Sequence, residues 1–156
     1  MKSLTLFRHA KTERESNTGR DFDRMLNERG LRDAKRMGKE VRKLGLQFDL
    51  VLSSPARRAA ETADLAGLSS QFDERIYNAS AGELLAIVQE AGHAIDRLVM
   101  VGHNPGFASL ASRLIGQNIE MPTGSLAEIE LPIGHWRDAG RGEGTLVRLL
   151  KPKELD

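Results

Sequence analysis

The sequence predicts an α/β domain in three layers, with helices on both sides of a mostly parallel sheet and an antiparallel hairpin at its C-terminal edge. Two observations carry this. Short apolar runs alternate with longer amphipathic segments, the pattern of strand–helix–strand units. The last third changes to two alternating strands separated by glycines, the pattern of a hairpin. The chain has 156 residues, 40% hydrophobic and 29% charged, which suits one soluble core, so residues 1–156 are read as a single domain.

The elements follow in order. Residues 3–7 form the first strand. Asn27 caps a helix over about 28–44, with Leu31, Ala34, Met37, Gly38, Val41 and Leu44 on one face. The lysines and arginines at 32, 35, 36, 39, 42 and 43 mark its outer, solvated face. Residues 49–52 form a second strand ending in Ser53-Ser54-Pro55, and an alanine-rich helix covers about 56–66. Residues 72–77 read as a weak third strand. A helix over 80–90 presents Leu84, Leu85, Ile87 and Val88. Residues 98–101 are the clearest strand, followed by a helix over 105–115. Strands at 125–131 and 145–150 form the hairpin, with Gly134, Gly140, Gly142 and Gly144 between them. Such an antiparallel edge is common on parallel sheets. No repeat, low-complexity segment or linker interrupts the chain.

Composition removes several classes of function. The net charge of +1 argues against nucleic acid as a partner, since phosphate-backbone binders carry a basic excess. The absence of cysteine excludes disulfides and thiolate metal sites. The apolar stretch in residues 1–7 is too short for a signal peptide, and no run approaches a membrane span, so a cytoplasmic location with no membrane partner is expected. His93, near a helix end, and His135, in the Gly-rich hairpin beside Trp136, lack metal-ligand spacing, and no His-Glu-x-x-His pattern occurs. Both are expected to be structural or solvent-facing, and Trp136 to pack on the core. No metal and no cofactor is expected. Nothing in the sequence signals an oligomeric state.

The chemistry-bearing residues stand at strand ends. Arg8-His9-Ala10 follows Leu4-Thr5-Leu6-Phe7, and His103-Asn104-Pro105 follows Leu98-Val99-Met100-Val101-Gly102. The second strand ends in Ser53-Ser54-Pro55-Ala56-Arg57-Arg58. In an open α/β sheet these carboxyl ends converge at one rim, where ligands bind. Two histidines and two arginines there make a cationic pocket, to which helix N-termini after Pro55 and Asn104 add positive dipole ends. Arginine forks match phosphate oxygens and stay charged. A histidine can act as nucleophile, provided the attacking nitrogen is unprotonated; a backbone carbonyl could fix that tautomer. Residues 11–24 form a polar loop of mixed charge beside this rim, for which plain solvation and a part in the site are both open. The Gly102-His103-Asn104-Pro105-Gly106 stretch is no Walker loop, since it lacks the lysine.

Together these blocks resemble the histidine phosphatase superfamily, the phosphoglycerate mutase-like proteins. Arg8-His9-Ala10-Lys11 is similar to its arginine–histidine motif. Ser53-Ser54-Pro55-x-x-Arg58-Ala59, with Arg57, is similar to its second block, and Gly102-His103-Asn104-Pro105 to its third. Leu26-Asn27-Glu28-Arg29-Gly30 resembles the opening of its first helix. Short length, Tyr77-Asn78-Ala79-Ser80 and the Gly-His-Asn-Pro block place the resemblance nearest the SixA branch of phosphohistidine phosphatases.

The resemblance implies a metal-independent hydrolase with His9 as nucleophile. It implies Arg8 and Arg57 as holders of the phosphoryl oxygens and His103 as a second donor. Arg57 is preferred because the implied spacing is three residues after Ser54, which leaves Arg58 as a salt-bridge residue. Many family members use a carboxylate to protonate the leaving group. Here one alignment puts Glu74 in that role and another puts Asn78 there, which leaves no acid; Glu83, one turn into the following helix, is a third candidate. The implied substrate is a phosphorylated protein or a small phosphorylated molecule. The alternatives kept beside a phosphohistidine phosphatase are a phosphatase of small phosphoesters and a non-catalytic phosphate-binding module. The intervals between the motif blocks are nearly filled by predicted elements, leaving little chain for a lid and an open rim suited to a bulky substrate.

Overall fold

The computed structural model describes residues 1–140 and 143–155. Its strands are Lys2–Arg8 (β1), Leu50–Ser53 (β2), Gln71–Phe72 (β3), Arg97–Gly102 (β4), Leu126–Leu131 (β5) and Thr145–Leu150 (β6). Its α-helices are Glu28–Lys43 (α1), Arg57–Leu65 (α2), Ala81–Gln89 (α3) and Gly106–Ile115 (α4). The strands form one sheet in the order β3-β2-β4-β1-β5-β6. β3, β2, β4 and β1 pair in parallel, while β5 is antiparallel to both β1 and β6.

The central strands are apolar on both faces, as burial between two helical layers demands. Leu4 and Leu6 of β1, with Leu98 and Met100 of β4, enter a core shared with Leu84 and Val88 of α3 and Phe107 and Leu110 of α4. Phe7 of β1, with Val99 and Val101 of β4, points the other way. These pack with Met37 and Val41 of α1 and Ala59 and Ala63 of α2. The alternation of successive side chains along each strand thus creates the three expected layers.

Local chemistry sets the helix starts. Asn27 Oδ1 accepts from the Gly30 N–H at 2.8 Å and begins α1 at the expected residue. Ser80 and Glu83 form a reciprocal capping box at the start of α3. The buried stripe of α1 differs from the expected one: Leu31 and Leu44 are exposed, while Gly30 and Asp33 are buried. Gly30 is buried by a close backbone approach to the loop leaving β1, where a Cβ would sit 2.0 Å from the Lys11 carbonyl oxygen, and Leu44 stands at the C-cap, beyond the last turn.

The expected strand over 72–77 is shorter than anticipated. Only Gln71 and Phe72 pair with β2; Asp73 then accepts from the Arg75 N–H and caps a 3-10 turn over Glu74–Ile76. The Asp73 N–H still donates to the Ser53 carbonyl at 2.9 Å; the chain leaves the sheet after it, and Ile76 is buried through the turn instead. The connection between the hairpin strands carries a 3-10 turn, Trp136–Asp138, and buries Trp136, whose Nε1–H donates to the Ile95 carbonyl at 2.6 Å. Gly142 lies outside the described residues. The exposed His93 and His135 rings lie 4.8 Å apart near the start of β1, away from its site-bearing end. Among the described residues no helix is long and apolar enough to cross a membrane.

The α1–α2 contact gives a direct test of packing. A Cβ on Gly38 would lie 2.5 Å from the Ala66 carbonyl oxygen, in a backbone contact with no flexible atom to yield. Gly38→Ala is therefore expected to lower the urea-unfolding free energy by about 1–3 kcal/mol despite its better helix propensity. Gly92→Ala, where nothing lies within 4 Å, is expected to leave it nearly unchanged.

Candidate active site

The parallel register sets β1, β4 and β2 level at one rim. Arg8 stands opposite Gly102, and Ser53 opposite Val101. The ladder continues one residue further: His9 N–H donates to the Gly102 carbonyl at 3.0 Å, and Ser54 N–H to the Val101 carbonyl at 2.9 Å. The His9 carbonyl accepts from the Gly124 N–H at 2.8 Å, and the Ala10 N–H donates to Thr62 Oγ1 at 3.0 Å. His9 is thus fixed by main chain on every side.

The two imidazoles meet with ring centroids 5.3 Å apart, and both are buried. His9 Nδ1 lies 2.7 Å from the Ala10 carbonyl, which can only accept, so Nδ1 carries the proton and Nε2 keeps its lone pair. His103 Nε2 lies 2.8 Å from Ser54 Oγ. Burial, with a smaller contribution from the charges of Arg58, Arg8 and Arg24, holds the His9 pKa down at about 4, although its bond to Ala10 opposes the shift. Burial, then Arg58, His9 and Arg8, hold His103 at about 3. Both are neutral at physiological pH.

Two guanidiniums approach the histidines, and one is not the arginine expected. The Arg57 side chain is 47% exposed and pairs with Glu61 along α2, Nε to Oε2 3.6 Å. Arg58 is the buried one, its side chain only 6% exposed. Adjacent helical residues diverge by about 100°, so only one of the pair can face the rim. Arg58 shares its face with Ala59, Thr62 and Ala63, the side of α2 that packs on the sheet. Arg8 is half-buried and donates through Nη1 to the Met121 carbonyl at 2.9 Å.

Polar accounting locates the site independently. Among the described residues four buried side-chain nitrogens have no hydrogen-bond partner; three are Arg8 Nε, Arg58 Nε and His103 Nδ1. Buried polar groups are almost always satisfied, and exceptions concentrate where function needs them. Helix starts add to this. α1 and α3 are capped by side chains, whereas α2, after Ala56, has no side-chain cap. α4 has none from Pro105, although Asn104 Oδ1 accepts from the Ala108 N–H at 3.2 Å. Among the described residues no group of three or more His, Asp or Glu side chains could hold a metal.

The candidate acids are exposed, and one of them is occupied. Glu74 is exposed, and Glu83 is exposed and spends Oε1 on the Ser80 N–H at 3.0 Å. Asn78 is exposed on a turn with φ of 57°. Two groups at the site are not named as site residues from the sequence, where Tyr77 enters only through the Tyr77-Asn78-Ala79-Ser80 block. Asp21 accepts from Arg58, Arg24 and Tyr77, and the Tyr77 ring stands 5.6 Å from His103.

The family follows from comparison with known proteins. Residues 4–94 match the model of the histidine phosphatase superfamily (branch 1). The chain belongs to this superfamily. An uncharacterised protein of Mycobacterium tuberculosis is 31% identical over 159 residues, covering 94% of this chain and 99% of that protein. Among solved structures, the candidate phosphohistidine phosphatase SixA of Nakamurella multipartitia superposes with a TM-score of 0.86 at 24% identity, covering 97% of this chain and 96% of the other. The corresponding Agrobacterium tumefaciens protein gives 0.83 at 26% identity, covering 97% and 98%. The fold is thus that of the SixA proteins.

The depressed histidine pKa values have a consequence for stability. Unfolded histidines titrate near the ordinary 6.5, the folded ones near 4 and 3, so between these limits the unfolded chain binds more protons. Stability is expected to fall as pH drops from about 6.5 toward 4. Urea melts across this range should show a smaller fall for His103→Asn. NMR titration of the wild-type imidazoles should find both rings neutral at pH 6.

Proposed function

We propose that this protein is a phosphatase that works through a covalent phosphohistidine on His9, with a phosphohistidine-bearing protein as its substrate. The observation that carries the reading is the set of three unpartnered buried nitrogens, Arg8 Nε, Arg58 Nε and His103 Nδ1, around a buried imidazole whose Nε2 lone pair is free. Such a set suits an oxyanion with its charge spread over three equatorial oxygens.

His9 Nε2 attacks phosphorus, forming a P–N bond as the bond to the leaving group breaks. The leaving atom takes the bonding pair and gains a proton. Water then attacks the phosphohistidine; its oxygen bonds to phosphorus, the bonding pair returns to Nε2, and inorganic phosphate leaves. Arg8, Arg58 and His103 hold the phosphoryl oxygens through both steps, and Arg58 takes the part that sequence spacing assigned to Arg57. None of these steps calls for a metal. Supporting the phosphohistidine substrate are the likeness to SixA proteins, the exposure of Glu74 and Glu83 and the cap bond that occupies Glu83, since a leaving imidazole protonated by solvent departs neutral and needs less help from a protein acid than an alkoxide does.

His9→Ala is expected to abolish hydrolysis of 4-nitrophenyl phosphate and acid-labile labelling of the chain. Arg58→Ala should lower kcat/KM by about 100- to 1000-fold, the scale for removing one preorganised charge donor. Arg57→Ala should lower it less than 3-fold, an effect in keeping with a surface pair. The substrate assignment is checked by comparing a phosphohistidine protein with a panel of sugar and nucleotide phosphates. Faster turnover of the panel would replace it by a small-phosphoester phosphatase. Labelled His9 that never clears would replace it by a phosphate-binding module.

A further inference from the structure

We propose that Asp21, in the polar loop that leaves the first strand, is a positioning residue that holds the Arg58 guanidinium in the phosphate pocket. The proposal rests on the phosphatase reading for its meaning, but its geometry stands apart from it. Arg58 has five N–H donors. Two are taken by Asp21: Nη1 donates to its backbone carbonyl at 2.7 Å and Nη2 to its carboxylate Oδ2 at 2.9 Å. Nε–H has no partner and stays free for a phosphoryl oxygen. Asp21 therefore grips both terminal nitrogens of the fork and leaves Nε open.

Asp21 is itself held. Arg24 Nε donates to Oδ1 at 3.0 Å, and the Tyr77 hydroxyl donates to Oδ2 at 2.8 Å. Arg24 Nη1 also donates to Thr12 Oγ1 at 2.9 Å and to the Glu13 carbonyl at 3.2 Å, which closes the loop on itself. The Tyr77 ring is fixed edge-on between Phe22 and His103, at 5.2 and 5.6 Å. Partial burial would raise the Asp21 pKa, but these donors, Tyr77 and Arg58 foremost, hold it at about 2, so it is ionised throughout the working range. A long arginine side chain loses much rotamer freedom when ordered, and a bidentate anchor supplies that order before substrate arrives. Residues 11–24 thus acquire a function as the frame of one arginine, rather than a solvated connection.

Steady-state kinetics on 4-nitrophenyl phosphate, with inorganic phosphate as competitive inhibitor, test this in the full-length chain. Asp21→Asn is expected to raise KM and the phosphate Ki together and to lower kcat/KM by about 10- to 100-fold, the scale of one charge-assisted hydrogen bond. In the Arg58→Ala background the same change should cost less than about 3-fold, because the two residues act as one unit. Glu90→Gln, which breaks a surface pair with Arg75, serves as the control and should leave both constants unchanged. Wild-type constants in Asp21→Asn would overturn the proposal. So would a fall in kcat at unchanged KM and Ki, or an undiminished penalty without Arg58. Should wild type show no turnover, the phosphatase reading fails alone. Phosphate affinity, followed by the His103 NMR signals, then decides the role of Asp21 by the same comparisons.

Discussion

The level parallel register of three strands is the constraint on which the rest depends. β1, β4 and β2 end side by side, and the inter-strand ladder runs one residue beyond each end to capture His9 and Ser54. Backbone hydrogen bonds between buried strands are the least negotiable contacts in the molecule, because an unpaired peptide group there has no water to turn to. Sheet geometry therefore sets the two histidine backbones side by side, and the side-chain bonds to the Ala10 carbonyl and Ser54 Oγ orient the rings that meet at 5.3 Å. The apolar layers beneath, with Leu6, Phe7, Met100 and Val101 all fully buried, keep the strands from sliding.

Once the histidines are placed, electrostatics follows from burial. Two imidazoles under a low-dielectric rim beside two guanidiniums cannot both carry charge as well, and they stay neutral. On the proposed reading burial chiefly keeps the His9 lone pair available, and the arginine charges that add to it are the ones that attract a phosphoryl dianion, so a single arrangement prepares nucleophile and binding site together. Its cost is a site with unpaired buried donors, and Asp21 bears part of it by compensating Arg58 from the side away from the pocket.

Much of this was legible in the sequence, for physical reasons that also mark where legibility stopped. Continuous apolar runs such as Leu98–Val101 announce strands buried on both faces, and the polar residues that end them announce the rim. Asn27 and Ser80 announce helix starts because a side-chain oxygen must meet free N–H groups there. Counting from Ser54 points to Arg57, yet Arg57 is exposed and Arg58 buried, because helical rotation and not the count sets which arginine faces the sheet. The signal was present: Arg58, Ala59, Thr62 and Ala63 recur at the spacing of one buried helix face, to which Arg57 does not belong. Asp21 and Tyr77 lie in irregular chain far apart in sequence, and nothing periodic links them; only the folded loop brings the carboxylate to the arginine. The third strand fell short because Asp73 prefers to cap its own turn, a local competition that a propensity count overlooks.

The same network bears on the proton that the leaving group needs. Asp21 is the carboxylate joined to the site's cations, and it is unfit to be an acid: three donors hold it ionised, so at neutral pH it has no proton to give. Tyr77 is neutral, its pKa raised chiefly by burial and by Asp21, and its hydroxyl proton is directed into that carboxylate. Glu83 is bound into a helix cap and Glu74 faces water. On the proposed reading, protein groups so arranged favour a leaving group that departs without a protein acid. A phosphorylated imidazole, which solvent can protonate so that it leaves neutral, meets that condition better than a sugar phosphate, whose alkoxide is a far stronger base and a poorer leaving group. The chemistry left out of the pocket thus argues for the same substrate class as the likeness in fold.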